Sequence, residues 1–422
     1  MAAPDTHNVI EAVWRIEAPK LIAGLARIVR DVGLAEDLAQ EALVAALEKW
    51  PESGVPDNPA AWLMTAAKNR AMDYFRRTQL LDRKHEELGR ELQVRELAVP
   101  DFDTALDDDI GDDLLRLIFT ACHPVLSTEA RVALTLRLLG GLTTQEIARA
   151  YLVAEPTIAQ RIVRAKRTLT EARVLFEVPH GVDRAVRLSS VLEVIYLIFN
   201  EGYSATAGED WMRPALCEEA LRLGRILAEL APTEPEVHGL VALMEIQASR
   251  SKARVGHSGE PVLLLDQNRS QWDQLLIRRG LEALRRAEES GGASGPYAVQ
   301  AAIAACHARA RAPEDTDWPR MVALYDRLVE LAPSPVVGLN RAVAVAMAFG
   351  PKAGLEIVDS LVSEASLKNY HLLPSVRGDL LKKLDRFSEA RAEFERAAAL
   401  TRNVRERNLL LKRAKECTSG ER

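Results

Sequence analysis

The 422-residue chain predicts an all-α protein: two small helical domains, the second a helix-turn-helix, followed by a long helical-repeat domain. Three observations predict it. Ala, Leu, Arg and Glu dominate while Gly and Pro are not enriched, a helix-forming composition. Apolar residues recur at helical spacing. Small and aromatic residues recur through the C-terminal half at intervals of 33 and 36 residues. A hydrophobic fraction of 48% provides sizeable cores, and the length implies roughly two to four domains.

The helices follow in order. Asn8–Val32 is amphipathic, with Pro19 marking a break or kink and Gly33 suited to the C-terminal cap. Leu34–Trp50 follows and stops at Pro51. It places Asp37, Gln40, Glu41 and Glu48 on one side and Leu38, Ala42, Ala45 and Ala46 largely on the other. Such an acidic stripe is either a solvated face or a surface for a basic partner. After the turn-rich loop Pro51–Asn58, Asn58 caps a long helix, Pro59–Thr78. There Trp62, Tyr74 and Phe75 are interleaved with Lys68, Asn69, Arg70, Arg76 and Arg77. Aromatics beside cations stack on exposed bases and hold phosphates. Trp62 reads better as core; Asn69, Asp73, Arg76 and Arg77 suit a solvated face or a nucleic acid equally.

The most informative stretch is Leu142–Leu169. A short helix, Thr143–Ala150, capped by Thr143 or Thr144, is followed by the turn Leu152-Val153-Ala154. Pro156 then opens a second helix. Ile158, Ile162, Ala165 and Leu169 form its buried seam, leaving Gln160, Arg161, Arg164, Lys166 and Arg167 outward. One apolar seam and one cationic face suit the major groove, although a solvated helical hairpin has the same pattern.

The net charge of −6 is silent about nucleic acid; its distribution is not. Ala66–Lys84 holds six Lys/Arg against two Asp, and Thr143–Arg173 holds six against three Glu. Between them, Asp101–Asp113 holds seven Asp and no Lys or Arg. Two basic modules joined by an acidic tether is an organised pattern. The four Cys (Cys122, Cys217, Cys306, Cys417) are far apart and read as free thiols of a reducing compartment rather than a zinc site. Cys122-His123 reads as structural, since adjacent helical residues point apart. No signal peptide or membrane-spanning apolar run is evident, so a cytoplasmic protein without membrane contact is expected.

DLAQEALVAALEKW, then NPAAWLMTAAKNRAMDYFRR, then an acidic linker, then LTTQEIARAYLVAEPTIAQRIVRAKRTL resembles a bacterial RNA polymerase sigma factor of the extracytoplasmic-function (ECF) group, over about residues 8–176. The resemblance implies two sigma-type helical domains, core RNA polymerase and promoter DNA as partners, and no catalysis, cofactor or metal. It implies that Asp37, Gln40 and Glu41 face the polymerase clamp helices. It implies that Lys68, Asn69, Arg70, Asp73, Arg76 and Arg77 melt and read the upstream part of the promoter bubble. Thr157, Gln160, Arg161, Arg164, Lys166 and Arg167 would read the more distant element as duplex.

The remaining half exceeds what such a factor needs. Gly378, Ala390, Phe394 and Ala397 fit the tetratricopeptide (TPR) pattern. Degenerate copies are Ala342, Gly354, Val358, Leu361; Met321, Tyr325, Leu328, Pro333; and Ala220, Gly224, Leu227, Pro232. Two segments are not repeat-like: the helix Val191–Tyr203, and the connection Pro261–Trp272, whose Asp266, Gln267, Asn268, Arg269 and Trp272 either line a ligand pocket or pin the loop, pinning being the better reading. The expected domains are 1–82, sigma region 2-like; 83–113, acidic linker; 114–178, sigma region 4-like; and 179–422, a TPR-like extension. The resemblance implies that the extension regulates the sigma core in cis through intramolecular contact; the sign is open between activation and inhibition, and the resemblance favours an extension needed for full activity. Two alternatives are a helix-turn-helix regulator with a TPR-like effector domain and a TPR scaffold or enzyme. The first has no use for the acidic and aromatic-cationic helices; the second lacks a catalytic constellation or metal-ligand spacing.

Overall fold

A computed structural model describes residues 3–87, 110–151, 153–205, 207–256, 259–291 and 295–420. It is all-α among these residues, apart from one two-residue strand pair. The chain divides into two compact units, Met1–Val194 and Ile195–Arg422.

The first unit comprises α1 (Ala3–Val29), α2 (Val32–Ser53), α3 (Pro59–Glu87), α4 (Ile110–Ala121), α5 (Thr128–Leu138), α6 (Thr144–Ala150), α7 (Glu155–Glu171) and the start of α8 (Gly181–Tyr203). Ala18, Leu21, Ile22 and Leu25 of α1, Leu38, Ala39 and Ala42 of α2, and Leu63, Ala67 and Phe75 of α3 are buried. The alanines among them, Ala18, Ala39, Ala42 and Ala67, allow the helices to approach closely.

The first three helices differ from the sequence reading in four places, one of them the end of α3, which runs on past Thr78 to Glu87 because no Pro or Gly interrupts it. Pro19 lies inside α1, whose buried residues on either side hold the helix together where the proline removes one bond. Gly33 is not a cap: Arg30 takes the left-handed position (φ 55°), and Asp31 caps α2 by accepting from Leu34 N at 2.8 Å. Pro51 does not stop α2, which ends at Gly54 (φ 86°), whose N–H reaches Trp50 O. A proline in a last turn forfeits little; a left-handed glycine terminates.

Of the acidic linker 83–113, residues 88–109 lie outside the described residues, while Asp112 and Asp113 stand in the first turn of α4. Asp113 is buried and pairs with Arg27 (3.0 Å) and Arg116 (2.6 Å). Carboxylates are favoured there by the helix dipole.

The second unit continues α8 and adds α9 (Pro214–Leu230), α10 (Pro235–Ala248), α11 (Gln274–Glu289), α12 (Pro296–Arg309), α13 (Trp318–Leu331), α14 (Pro335–Phe349), α15 (Pro351–Leu361), α16 (Leu372–Lys383), α17 (Phe387–Leu400) and α18 (Val404–Gly420). Prolines open α9, α10, α12, α14 and α15, where the missing N–H costs nothing. From α12 onward each helix packs on its sequence neighbours. The strands β1 (Ala207–Gly208) and β2 (Arg402–Asn403) pair in parallel, and the Asn403 amide donates to Ala205 O and Asp210 O.

The repeat-pattern residues meet across helices. Gly378 lies where a Cβ would stand 3.0 Å from Phe394, which is fully buried with Ala390 and Ala397. Gly354 is pressed against Ala342 O and Ala346, and Gly224 against Met244. The connection before α11 is pinned: Arg269 donates to His307 O (2.7 Å) and Ala310 O (2.8 Å), Gln267 to Val262 O, and Asn268 accepts from Ser270 N.

Candidate nucleic-acid interface

The geometry begins with α6. Thr143 caps it in a reciprocal box with Glu146, which also accepts from Arg15 of α1 at 2.9 Å. Burial alone would raise the Glu146 pKa, but the Thr143 hydrogen bonds and Arg15 outweigh it and hold it low. The box fixes where α6 starts. Ala154 offers no side-chain cap to α7, and Pro156 sits in its first turn.

All four seam residues of α7, Ile158, Ile162, Ala165 and Leu169, are buried. Thr157, Gln160, Arg164 and Arg167 are exposed, and Arg161 is half-buried. Arg167 pairs with Glu171 at 3.0 Å in solvent, where such a pair is worth little. A groove of about 410 Å³ between the start of α5 and α7 is lined by Ser127, Thr157, Gln160, Arg161 and Arg164. Its hydroxyl, amide and guanidinium groups are the donor types that phosphates and base edges accept.

Lys166 departs from the expected outward face. Its Nζ stands 2.7 Å from Glu36 Oε2 and 3.3 Å from Asp37 Oδ1, both on α2. Glu36 is 3% exposed and also accepts from Arg137 Nε of α5 at 2.6 Å and from the Gln40 amide. A buried carboxylate draws cations from several helices, because desolvation makes an unpaired charge costly. Thr170 adds a hydrogen bond to Asp31 at 3.0 Å.

Glu36, Arg137 and Arg15 were not singled out in the sequence. The signal for Glu36 was present: Val32, Ala35, Leu38 and Ala39 bracket it on the buried side of α2.

The α2 residues assigned to the polymerase remain accessible. Asp37 and Glu41 are exposed, and Gln40 is half-buried. Glu41 lies 3.6 Å from Arg70 of α3. On α3, Asn69, Arg70, Asp73, Arg76 and Arg77 are exposed, Lys68 is half-buried, and Tyr74 is exposed beside buried Phe75. Asp73 and Arg76 are 3.9 Å apart. Trp62 rests edge-on against buried Trp50, with ring centroids 5.3 Å apart, as a core residue does.

The Cys122 thiol is buried against Thr135 Oγ1 at 3.3 Å, and burial pushes its pKa up to about 11. The His123 ring accepts from Val125 N, in keeping with a structural role. Among the described residues, no helix is long and apolar enough to cross a membrane.

Residues 14–80 match the family model of sigma-70 region 2, residues 116–169 that of sigma-70 region 4, and residues 187–288 a family of unknown function, DUF6596. An uncharacterised protein of Rhizobium meliloti (strain 1021) is 45% identical over 390 residues, covering 92% of this chain and 91% of the relative. The ECF RNA polymerase sigma factor SigK of Mycobacterium ulcerans (strain Agy99) is 30% identical over 150 residues, 34% of this chain and 75% of the relative. The probable ECF RNA polymerase sigma factor SigI of Mycobacterium tuberculosis (strain CDC 1551 / Oshkosh) is 27% identical over 180 residues, 43% of this chain and 61% of the relative.

Proposed function

The chain belongs to the ECF RNA polymerase sigma factors, and on that premise we propose that it binds core RNA polymerase through α2, reads promoter DNA with α3 and α7, and is regulated in cis by its second unit. The observation that carries this reading is the division of labour on α7. Its apolar seam is wholly consumed in packing, while Thr157, Gln160, Arg164 and Arg167 are left to solvent. A helix whose apolar seam is fully buried and whose solvent side, Val163 apart, is polar and cationic is built for an anionic partner.

Asp37, Gln40 and Glu41 would meet the polymerase, a basic surface attracting the two carboxylates. Lys68, Asn69, Arg70, Asp73, Arg76 and Arg77, with exposed Tyr74, would hold the melted strand. Thr157, Gln160, Arg161, Arg164 and Arg167 would read duplex, and Lys166 would join them on leaving Glu36. The protein would act in the cytoplasm, with no chemistry of its own. Residues 1–82 and 114–178 would form the two sigma domains, joined by the acidic linker 83–113. Residues 179–422 would be a TPR-like extension, a reading supported by the Gly378–Phe394 and Gly354–Ala342 packing.

Run-off transcription with core polymerase tests the reading. The full chain should make transcription depend on its promoter, and Asp37→Lys with Glu41→Lys should abolish core binding. Unchanged core binding would remove α2 from the interface. Equal transcription by the full chain and by one ending at Val178, with and without the second unit added in trans, would refute regulation in cis.

A further inference from the structure

The second unit contains a cationic cluster that its packing does not explain. Arg250 follows the end of α10 and precedes a single 3-10 turn, Ser251–Arg254. Its guanidinium lies 5.9 Å from the Tyr203 ring and 5.9 Å from the Trp272 ring. Arg254 lies 3.6 Å from the same Tyr203 ring and 5.6 Å from Trp211. Two guanidiniums thus approach one tyrosine, whose ring also stacks on Phe199 with centroids 5.5 Å apart.

Arg250 is 8% exposed, yet among the described residues its side chain makes no hydrogen bond or ion pair. Arg254 donates to the Tyr203 carbonyl, and its Nε is unpartnered. The Trp272 Nε1 is also buried without a partner. Nearby Arg269 is different, because its guanidinium is spent on the His307 and Ala310 carbonyls. Burial, and then Arg250 beside it, push the Arg254 guanidinium below its ordinary pKa. The C-terminal end of α10 offsets part of the charge, but supplies no acceptor. Buried cations are ordinarily paired, since desolvation is otherwise uncompensated.

We propose that the cluster of Tyr203, Arg250, Arg254 and Trp272 is a binding site for a small-molecule oxyanion, a carboxylate or phosphate group. The planar guanidinium matches either group with two parallel hydrogen bonds. Only Nε of Arg250 is sealed, so its terminal amino groups are the part solvent reaches. That admits a small anion and not a macromolecular surface. Trp211, half-buried beside Arg254, offers an apolar wall to the ligand's body. The site lies in the unit matched in part by a family of unknown function and does not depend on the sigma-factor reading.

The test is thermal unfolding and titration calorimetry of the full chain with inorganic phosphate, sulfate or succinate, against chloride at equal ionic strength. At least one oxyanion should raise the melting temperature above the chloride control, and the comparison of phosphate with succinate identifies the group. Arg250→Met should abolish that response and raise the ligand-free melting temperature, since it removes an unpaired buried charge. Arg222→Met, on the surface beside Glu219, should keep the response. Arg250→Lys should fold and weaken Kd about tenfold or more, by losing the two-point contact. No response of the wild-type chain to any of the three anions would overturn the proposal. So would a response that Arg250→Met and Arg250→Lys retain in full.

Discussion

Lys166 Nζ lies 2.7 Å from Oε2 of Glu36, joining the helix that carries the cationic face to the helix that carries the acidic one. Lys166 is half-buried, with its side chain 19% exposed, and Asp37 shares it. A residue assigned to DNA is therefore held by the helix assigned to polymerase.

Glu36→Gln should destabilise the first unit by about 3 kcal/mol, because Arg137 and Lys166 would keep their burial without a carboxylate. Urea unfolding measures it. Lys166→Met added to Glu36→Gln should cost less than the sum of the single changes, as partners in one network do. Strict additivity would show that the ion pair carries no coupling.

Arg161→Ala with Arg164→Ala should weaken promoter binding at least about tenfold and lower the slope of log K against log salt by roughly 2. Both residues line the groove beside Ser127. Binding measured by fluorescence anisotropy across a salt series decides it; an unaltered slope would move the DNA contact elsewhere.

Gly354→Ala should destabilise the second unit by about 1–2 kcal/mol, although alanine is the better helix former. The added Cβ would stand 2.5 Å from Ala346 Cβ and 2.7 Å from Ala342 O, and backbone cannot step aside. Chemical denaturation reads the sign directly; a stabilised variant would mean that α14 and α15 separate easily.

Burial foremost, then Arg250 and Arg269, lower the His307 pKa from 6.5 to about 3. Below pH 6.5 the unfolded chain takes up a proton that the folded chain refuses. The contribution of His307 is therefore complete above pH 6.5 and lost as pH falls towards 3. His307→Gln should flatten the decline of stability between pH 6.5 and 5, a window above most carboxylate titrations. Parallel declines in the two proteins would contradict the shift.

The sequence by itself determined the helical class, the α7 seam and the cationic face. Each rests on local periodicity and on start signals such as Asn58-Pro59, Thr143 and Pro156, and these act within a few residues. The repeat positions Gly378, Ala390 and Phe394 were legible for the same reason: a fixed spacing in the chain becomes a fixed contact between neighbouring helices. The tertiary structure alone decided what Glu36, Lys166 and Arg250 do. Glu36 finds Arg137 and Lys166 at separations of 101 and 130 residues, and Arg250 shares the Tyr203 ring with Arg254. Charge pairing and desolvation depend on distance in space, and periodicity does not encode which distant side chain arrives.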